Sequence, residues 1–225
     1  MLCMRTIAEV VEFEVKKLPF VEEAMQDGLI NLSSLARLIK PSIEEALMKE
    51  VNEGAIVMAL KRYTKSMSGA VMLKAEDIGR YFGEIFVRSG LMTCSYANSH
   101  TLIENQTKLL HEVDKNVDAY CSFKQGMFEY TFILSQNLKE QVDELFRNEK
   151  YISGITNLCS VTVKLKSSNV EVMGLYYYLF KMIAWRGINI IEVVSTANEF
   201  TIVVDQENIN ESFSVLMNIK EGVTA

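Results

Sequence analysis

The residue types that most often bind metals or form disulfides are few and scattered in this chain. It contains four cysteines and two histidines, namely Cys3, Cys94, Cys121, Cys159, His100 and His111. No two cysteines form a C-x-x-C pair, and two histidines are too few for a histidine-based metal site. The simplest interpretation is that the cysteines are free thiols packed as small apolar side chains, with a metal or disulfide role as the alternative. We predict no catalytic residue, no metal site and no cofactor.

The sequence also lacks the loops that hold phosphate groups. Neither a Gly-Gly phosphate loop nor a G-x-x-x-x-G-K-[ST] loop is present. Kinase chemistry needs such a loop together with carboxylates that hold metal ions. We therefore expect that the chain is not an enzyme.

Composition and charge exclude other classes. About half of the 225 residues are apolar, so the chain can bury real cores. Its net charge of −6 argues against a nucleic-acid footprint spread over the whole fold. No apolar run reaches the ~18 residues of a transmembrane helix, and the acidic N-terminal stretch does not match a signal peptide. We expect a cytoplasmic protein without membrane contact.

Residues 1–66 are predicted to be all-helical. Thr6 is a candidate cap for a first helix, and Asn31 for a later one. Pro41 is expected to break that later helix, and Ser42, with Glu45 three residues on, to cap the next through a capping box. Short helices with tight turns resemble a helix-turn-helix module.

The presumed recognition helix, residues 42–53, argues against DNA binding. It reads SIEEALMKEVNE and carries four glutamates against one lysine, whereas a helix between two rows of phosphates is normally basic. A packing or partner-binding domain is the preferred interpretation, and DNA binding remains the alternative.

An internal repeat dominates the rest of the chain. Residues 129–136, EYTFILSQ, match residues 199–206, EFTIVVDQ, and the helical stretches after them also match. Each unit has the order βαββαβ, which is the ferredoxin-like arrangement of an antiparallel sheet with both helices on one face. The strand FTIVVD does not alternate in polarity, so we expect a neighbouring sheet or subunit to cover its second face.

We therefore predict an α+β protein with tandem ferredoxin-like units after a small helical domain. The predicted boundaries are 1–66 for the helical domain, 67–90 for a connector, 91–157 for the first unit and 158–225 for the second. Residues 84–99 are predicted to form one strand, or two strands with a turn at Ser89-Gly90. Because few residues follow its second helix, the second unit is expected to lack a full last strand. The resulting open sheet edge favours partners.

The second unit resembles an ACT domain, and most closely the regulatory half of aspartokinases. The residues that carry this resemblance are Gly174, at the glycine of the family's Pro-Gly with Met173 in place of proline, and Gly187-Ile188-Asn189-Ile190. The resemblance covers about residues 91–225 and is weaker in the first unit. It implies a regulatory protein that forms homo-oligomers, with a dimer through the ACT units expected. The alternatives are an amino-acid-responsive transcription regulator and a regulatory subunit of a separate aspartokinase.

The resemblance also implies a ligand site for a small amino acid where the first strand of a unit meets its first helix. In the second unit the candidate residues are Ser167, Ser168, Asn169, Val170, Glu171, Met173 and Gly174, with Ile191 on the neighbouring strand. Helix-terminal N–H groups near Gly174 suit a carboxylate, and Glu171 suits an ammonium group. The alternative is that Ser168 and Asn169 are ordinary caps and Glu171 a first-turn acid.

The first unit offers Asn98 and Ser99 at its equivalent loop. The repeat offset places Glu104 where the second unit has Gly174, which departs from the family and weakens the first loop as a site. His100 is expected to be an ordinary loop histidine. The neighbouring tyrosines Tyr176–Tyr178 must point to different faces of their helix, so we expect a role in the core and at a subunit contact rather than a stacking surface.

Overall fold

The structure, a computed structural model, describes residues 6–18, 20–67, 78–116, 118–166, 172 and 174–223. The chain divides into two compact units, residues 1–72 and 73–225. Each is considered by itself below.

The N-terminal unit is helical, as expected. It contains α1 (Ile7–Lys16), α2 (Val21–Gln26), α3 (Leu32–Leu47) and α4 (Glu53–Met67). The side chain of Thr6 accepts a hydrogen bond from the backbone of Glu9, whose carboxylate accepts one from the Thr6 backbone, and this capping box begins α1. Asn31 caps α3 by accepting hydrogen bonds from two backbone N–H groups. The apolar faces of the helices meet in one core.

The predicted break at Pro41 is wrong, because α3 runs through this residue. Proline removes one intrahelical hydrogen bond, that to the carbonyl of Arg37. Both residues lie on the exposed side of the helix, where water can satisfy that carbonyl. On the other side, Ile39 and Ile43 are buried in the same core, so one continuous apolar face outweighs the lost bond.

Ser42 therefore lies inside a helix and is not a cap. The stretch 42–53 is likewise not one helix, because Met48 adopts a left-handed conformation at φ 53° and ends α3. The Glu44 carboxylate accepts a hydrogen bond from the Val51 backbone at 2.9 Å and closes the turn that follows.

The C-terminal compact unit, residues 73–225, contains one six-stranded antiparallel sheet among its described residues. Its strands are β1 (Phe82–Ala97), β2 (Cys121–Gln125), β3 (Glu129–Ser135), β4 (Tyr151–Leu165), β5 (Glu192–Ser195) and β6 (Glu199–Asp205), in the spatial order β2-β3-β1-β4-β6-β5. Its helices are α5 (Leu102–Asp114), α6 (Lys139–Leu145), α7 (Leu175–Trp185) and α8 (Ile209–Glu221). The predicted α+β class with tandem ferredoxin-like units is confirmed.

The repeat is visible in the structure. β3 and β6 both span seven residues, each is followed by a 3₁₀ turn and a helix, and their pairing with β2 and β5 has the same register. The matched stretches EYTFILS and EFTIVVD therefore occupy equivalent places in the two repeats.

Sequence analysis left open one strand or two strands around Ser89-Gly90, and the structure shows one strand, β1. Both halves of β1 pair antiparallel with β4, and the register shifts between Arg88 and Leu91. Gly90 adopts φ +68°, a conformation that allows this register shift within one continuous strand. Similarly, the last strand of the first unit and the first strand of the second, which the predicted βαββαβ order places one after the other, are one strand, β4.

As expected, no strand follows α8 among the described residues, but an earlier segment takes the place of the missing strand. Residues 82–88, which sequence analysis assigned to a connector, pair with 160–165 of β4. The first repeat is thus inserted between this edge strand and the rest of the second repeat. The edge expected to stay open beside β4 is therefore occupied by residues 82–88, although the domain boundaries themselves stay a prediction.

The sheet curves towards its helix-free face, so that residues of the two repeats contact each other on this concave side. Lys124 of β2 forms an ion pair with Glu192 of β5, although these strands lie at opposite ends of the sheet. A small core on this face joins Ile133 of β3 to Val203 of β6. This contact explains the lack of alternation in β6: its second face is covered by the other repeat of the same chain.

Candidate functional site

The loop between β4 and α7 is the candidate ligand site of the second repeat. Residues 167–171 and Met173 lie outside the described residues, so six of the candidates there, Ser167, Ser168, Asn169, Val170, Glu171 and Met173, stay predictions. The described part of the loop comprises Lys166, Val172 and Gly174. The Lys166 backbone N–H donates to the Tyr81 carbonyl at 2.8 Å, which anchors the start of the loop.

Gly174 is the cap at which α7 begins. It has a left-handed backbone, φ 81° and ψ 0°, and none of the described side chains caps the helix. A Cβ built on Gly174 would have no atom within 4 Å, so it would point into open space. The first N–H groups of any helix lack partners within that helix and carry its positive dipole end. Among the described residues, nothing at Gly174 therefore obstructs the approach to this helix start.

The start of α7 is fixed to the sheet by a contact that sequence analysis did not identify. The Tyr176 hydroxyl shares a hydrogen bond with Ser195 Oγ at the end of β5. Ser195 Oγ also donates to the Glu199 carbonyl at 3.2 Å, so the bond reaches the turn between β5 and β6. No sequence signal identifies this pair, because Tyr176 reads as one of three tyrosines in an apolar helix.

Ile191 does not join this loop. It packs with Val203 on the concave face, whereas Leu175 and Leu179 of α7 pack on the other face with Ile202 and Val204. Successive strand residues point to opposite faces. Ile191 therefore lies on the side of the sheet away from α7.

The corresponding loop of the first repeat is already occupied by a carboxylate of the chain itself. The Glu149 carboxylate accepts hydrogen bonds from Ser99 Oγ at 2.6 Å, Thr101 Oγ1 at 2.6 Å and Asn105 Nδ2 at 2.9 Å. Ser99 Oγ also accepts one from the Leu102 backbone at the start of α5. Asn98 instead donates to the carbonyls of the β2–β3 hairpin. A second carboxylate would have to displace Glu149.

The same contacts change the acidity of Glu149. Burial raises its pKa, but the hydrogen bonds from Ser99, Thr101 and Asn105 outweigh this effect, and the net pKa lies below the ordinary value of 4.5. The lowered pKa means that the folded chain favours the ionised form. The contribution to stability is fully present above the ordinary carboxyl pKa and is lost as the pH falls through the lower folded value.

We expect Glu149→Gln to lower the free energy of unfolding at neutral pH by about 1 kcal/mol, since hydrogen bonds to a charged group are involved but the site is partly solvated. Urea unfolding curves at neutral and acidic pH measure this, and the difference from wild type should disappear in acid. Glu144→Gln, an exposed carboxylate on α6, is the control. A Glu149→Gln effect no larger than the control would contradict the proposed role of these bonds.

The expected equivalence of Glu104 and Gly174 is wrong. Four residues separate β1 from α5, whereas nine separate β4 from α7, so the constant offset fails across this loop. Thr101, not Glu104, is the residue that corresponds to Gly174 as the helix cap. Glu104 lies exposed in the first turn of α5 and pairs with Lys108 at 2.7 Å.

The aromatic run points to different faces, as predicted. Tyr176 and Tyr178 pack against the core of the second repeat. Tyr177 is 45% and Trp185 70% exposed, so the outer face of α7 is largely aromatic.

The described cysteines Cys94, Cys121 and Cys159 are free thiols. Burial raises the pKa of Cys94 to about 12 and that of Cys121 to about 11, so neither is a thiolate at neutral pH. Within the described ranges, no group of three or more histidines, cysteines or acids is placed to hold a metal ion. No helix there is long and apolar enough to cross a membrane.

Comparisons with known proteins give a likeness in structure alone. No protein-family model and no curated protein sequence matches the chain. A crystal structure of aspartokinase alpha and beta subunits matches with a TM-score of 0.51 and 15% identity, over 62% of this chain and 99% of that chain. The regulatory subunit of aspartate kinase from Thermus thermophilus matches with a TM-score of 0.50 and 7% identity, over 62% and 98%.

A complete aspartate kinase, that of Clostridium acetobutylicum, matches with a TM-score of 0.51 and 10% identity, but only 35% of its length is covered. At these identities the likeness concerns the fold. Over 62% of its length the chain therefore has the fold of the regulatory regions of aspartate kinases.

Proposed function

We propose that this chain is a non-catalytic, cytoplasmic regulatory protein whose second ACT-like repeat binds a small amino acid at the start of α7. The shared fold carries the first part of this proposal, because two of the matched chains are covered almost from end to end. One of them is a regulatory subunit by its own description. The geometry at Gly174 carries the second part.

The two repeats differ in a way that supports one ligand per chain. At the first helix start, Glu149 supplies a carboxylate that already accepts three side-chain hydrogen bonds. At the second, a Cβ on Gly174 would meet no atom within 4 Å, and none of the described side chains caps the helix. Helix N-termini favour anions, and a free amino acid offers a carboxylate that the second repeat does not supply from these described residues.

A thermal-shift screen of the twenty amino acids tests this proposal, since a ligand that binds only the folded chain raises its melting temperature. We expect at least one amino acid to stabilise the wild type. Gly174→Ala should weaken its binding by about tenfold or more, because a methyl group then occupies the approach to the helix start. Titration calorimetry measures the affinity.

Gly187→Ala is a matched control for this substitution. Gly187 lies at the other end of α7 with φ +70°, and a Cβ there also meets no atom within 4 Å. Both variants should lose stability by about 1–2 kcal/mol, the cost of a side chain in the left-handed region. Equal ligand affinity in the two variants would remove Gly174 from the site. If Gly174→Ala lowered the free energy of unfolding much more than Gly187→Ala, Gly174 would be needed for close packing of the helix and not for ligand binding.

We also propose that the chain forms a homodimer through its sheet. Residues 151–157 of β4 pair with β1 alone, so their other edge is open among the described strands. This segment exposes Tyr151 at 58%, Ile152 at 48% and Ile155 at 41%. Exposed apolar edge strands pair readily with another chain.

Ile152→Lys should therefore shift the dimer towards monomer, raising the dissociation constant by about tenfold or more. Sedimentation velocity over a concentration series measures this. Leu38→Lys, at an apolar residue of the helical unit that is 67% exposed, is the control and should leave the dimer intact. A wild-type chain that stays monomeric at micromolar concentration would contradict the assembly.

A second candidate function is regulation of a separate kinase. It is favoured by the near-complete coverage of chains described as subunits of aspartokinase. A hydroxamate assay for acyl-phosphate formation distinguishes the candidates: we expect no activity from this chain alone. Activity that survives repurification would refute a non-catalytic role.

A further inference from the structure

A cavity on the concave face of the sheet carries groups of both charges. It has a volume of about 520 Å³, and its lining includes Arg88, Tyr120, Ser160, Thr162, Glu199 and Thr201. It lies on the helix-free side, whereas the proposed amino-acid site lies at the start of a helix. It is therefore a separate place in the fold.

The edge strand of the second repeat creates this cavity. Arg88 is the residue of β1 that lies opposite Ser160 of β4, and Thr162 of β4 lies opposite Thr201 of β6. Tyr120 comes from the first repeat, just before β2. Four segments of the chain thus meet around one space.

The floor of the cavity is polar although it is buried. Ser160 is 3% and Thr201 5% exposed, and Thr162 and Thr201 share a hydroxyl hydrogen bond of 2.8 Å. Buried hydroxyls are costly unless they are hydrogen-bonded. On this strand pair the opposite, helix-covered face is apolar, with Val161, Val163 and Phe200. The polar residues therefore mark the concave side of these strands specifically.

Arg88 is held in position at the rim. One of its guanidinium nitrogens donates to the Asp118 carbonyl at 3.1 Å, and its Cζ lies 5.4 Å from the centre of the Tyr120 ring. A guanidinium has five N–H donors in a planar fork that suits a carboxylate. The fixed orientation leaves further donors for a ligand.

Glu199 supplies the opposite charge. It begins β6, and its negative charge is close enough to Tyr120 to raise the pKa of that phenol, although burial is the larger cause. Lys164 lies opposite Glu199 in the strand register. Among the described residues, Arg88, Glu199 and Lys164 form no ion pairs within 4.0 Å, so the charges of the cavity are not neutralised by contact.

We propose that this cavity binds a small zwitterion, with a carboxylate on Arg88 and an ammonium group on Glu199. The hydroxyl groups of Thr162, Thr201 and Tyr120 lie around the same space and would hydrogen-bond the polar atoms between the two charges. A free α-amino acid is the simplest molecule of this class.

The test uses the full chain and amide chemical-shift mapping with each of the twenty amino acids at millimolar concentration. We expect the amide signals of Ser160, Thr162 and Thr201 to shift with at least one of them. Its methyl ester, which lacks the carboxylate, and its N-acetyl derivative, which lacks the ammonium group, should each bind at least tenfold more weakly, since each loses one charge contact.

Arg88→Met keeps the aliphatic stem and removes the charge, and Glu199→Gln removes the other charge at the same size. Each should weaken the amino acid at least tenfold. Arg88→Met should also abolish the preference for the free acid over its methyl ester. Arg147→Met and Glu144→Gln, at exposed residues outside the cavity lining, are the controls. Affinities unchanged by Arg88→Met, or no amino acid shifting these amides, would overturn the inference.

Variants of each site distinguish the cavity from the proposed site at α7. Loss of the site at α7 through Gly174→Ala should leave the shifts of Thr162 and Thr201 in place. Conversely, Arg88→Met should leave the shift of the Gly174 amide. If one variant removed both sets of shifts, the cavity would not be an independent site and the inference would fall.

Discussion

Phe82→Ala should lower the free energy of unfolding by about 3–5 kcal/mol, the cost of removing a fully buried phenylalanine. Phe82 has 0% of its surface exposed, and it packs in the same core as Phe200, Leu179 and Leu216. This residue precedes the first repeat, yet its side chain completes the second. The loss combines lost apolar burial with the cavity that the ring leaves behind.

Urea unfolding curves measure this loss in the free energy of unfolding, provided that its dependence on urea concentration is the same in the variant and the wild type. Phe86→Ala, on the same strand with 54% of the side chain exposed, is the control and should change stability by less than about 0.5 kcal/mol. If Phe82→Ala behaved like Phe86→Ala, residues 82–88 would be a peripheral connector and not the edge strand of the second repeat.

Phe132→Ala should cost a similar amount, about 3–5 kcal/mol, in the first repeat. Phe132 is fully buried, and its ring centre lies 5.1 Å from that of Phe146 and 6.4 Å from that of Tyr96. Such edge-to-face aromatic pairs add to the burial term.

Because β1 and β4 each run through both repeats, we expect the repeats to unfold together. Trp185, the single tryptophan of the chain, lies in the second repeat and reports its unfolding by fluorescence. Phe132→Ala should therefore shift the Trp185 fluorescence transition to lower urea concentration. The resulting loss in the free energy of unfolding should equal the loss measured by hydrogen exchange of the β3 amides. A Trp185 transition that does not move would show two independent units.

Local signals in the sequence predicted local structure well. Thr6 with Glu9, and Asn31, are caps because a side-chain oxygen reaches N–H groups only two or three residues away. Gly187 adopts φ +70° directly after α7, where the Gly-Ile-Asn-Ile turn was recognised. The repeat was visible because two equal folds need the same apolar spacing.

Where local signals gave a wrong or incomplete prediction, contacts between residues distant in sequence determined the structure. Pro41 is a helix breaker in isolation, but the shared burial of Ile39 and Ile43 keeps α3 continuous. At the first candidate loop, the serine at position 99 was predicted as a ligand residue, but it binds Glu149, fifty residues further along the chain. No periodicity links those two residues, because their contact depends on the packing of two loops.

By itself, the sequence determined the two repeats, the helix caps at Thr6 and Asn31 and the glycine at the start of α7. These follow from spacing, since alternation and caps act within a few residues. Only the tertiary structure decided that residues 82–88 complete the second repeat and that Arg88 and Glu199 face one cavity. The physical reason is that strands pair through backbone hydrogen bonds, which are the same for every residue type. A sequence therefore shows which side of a strand is buried, but the choice of its neighbour depends on the whole core into which that side packs.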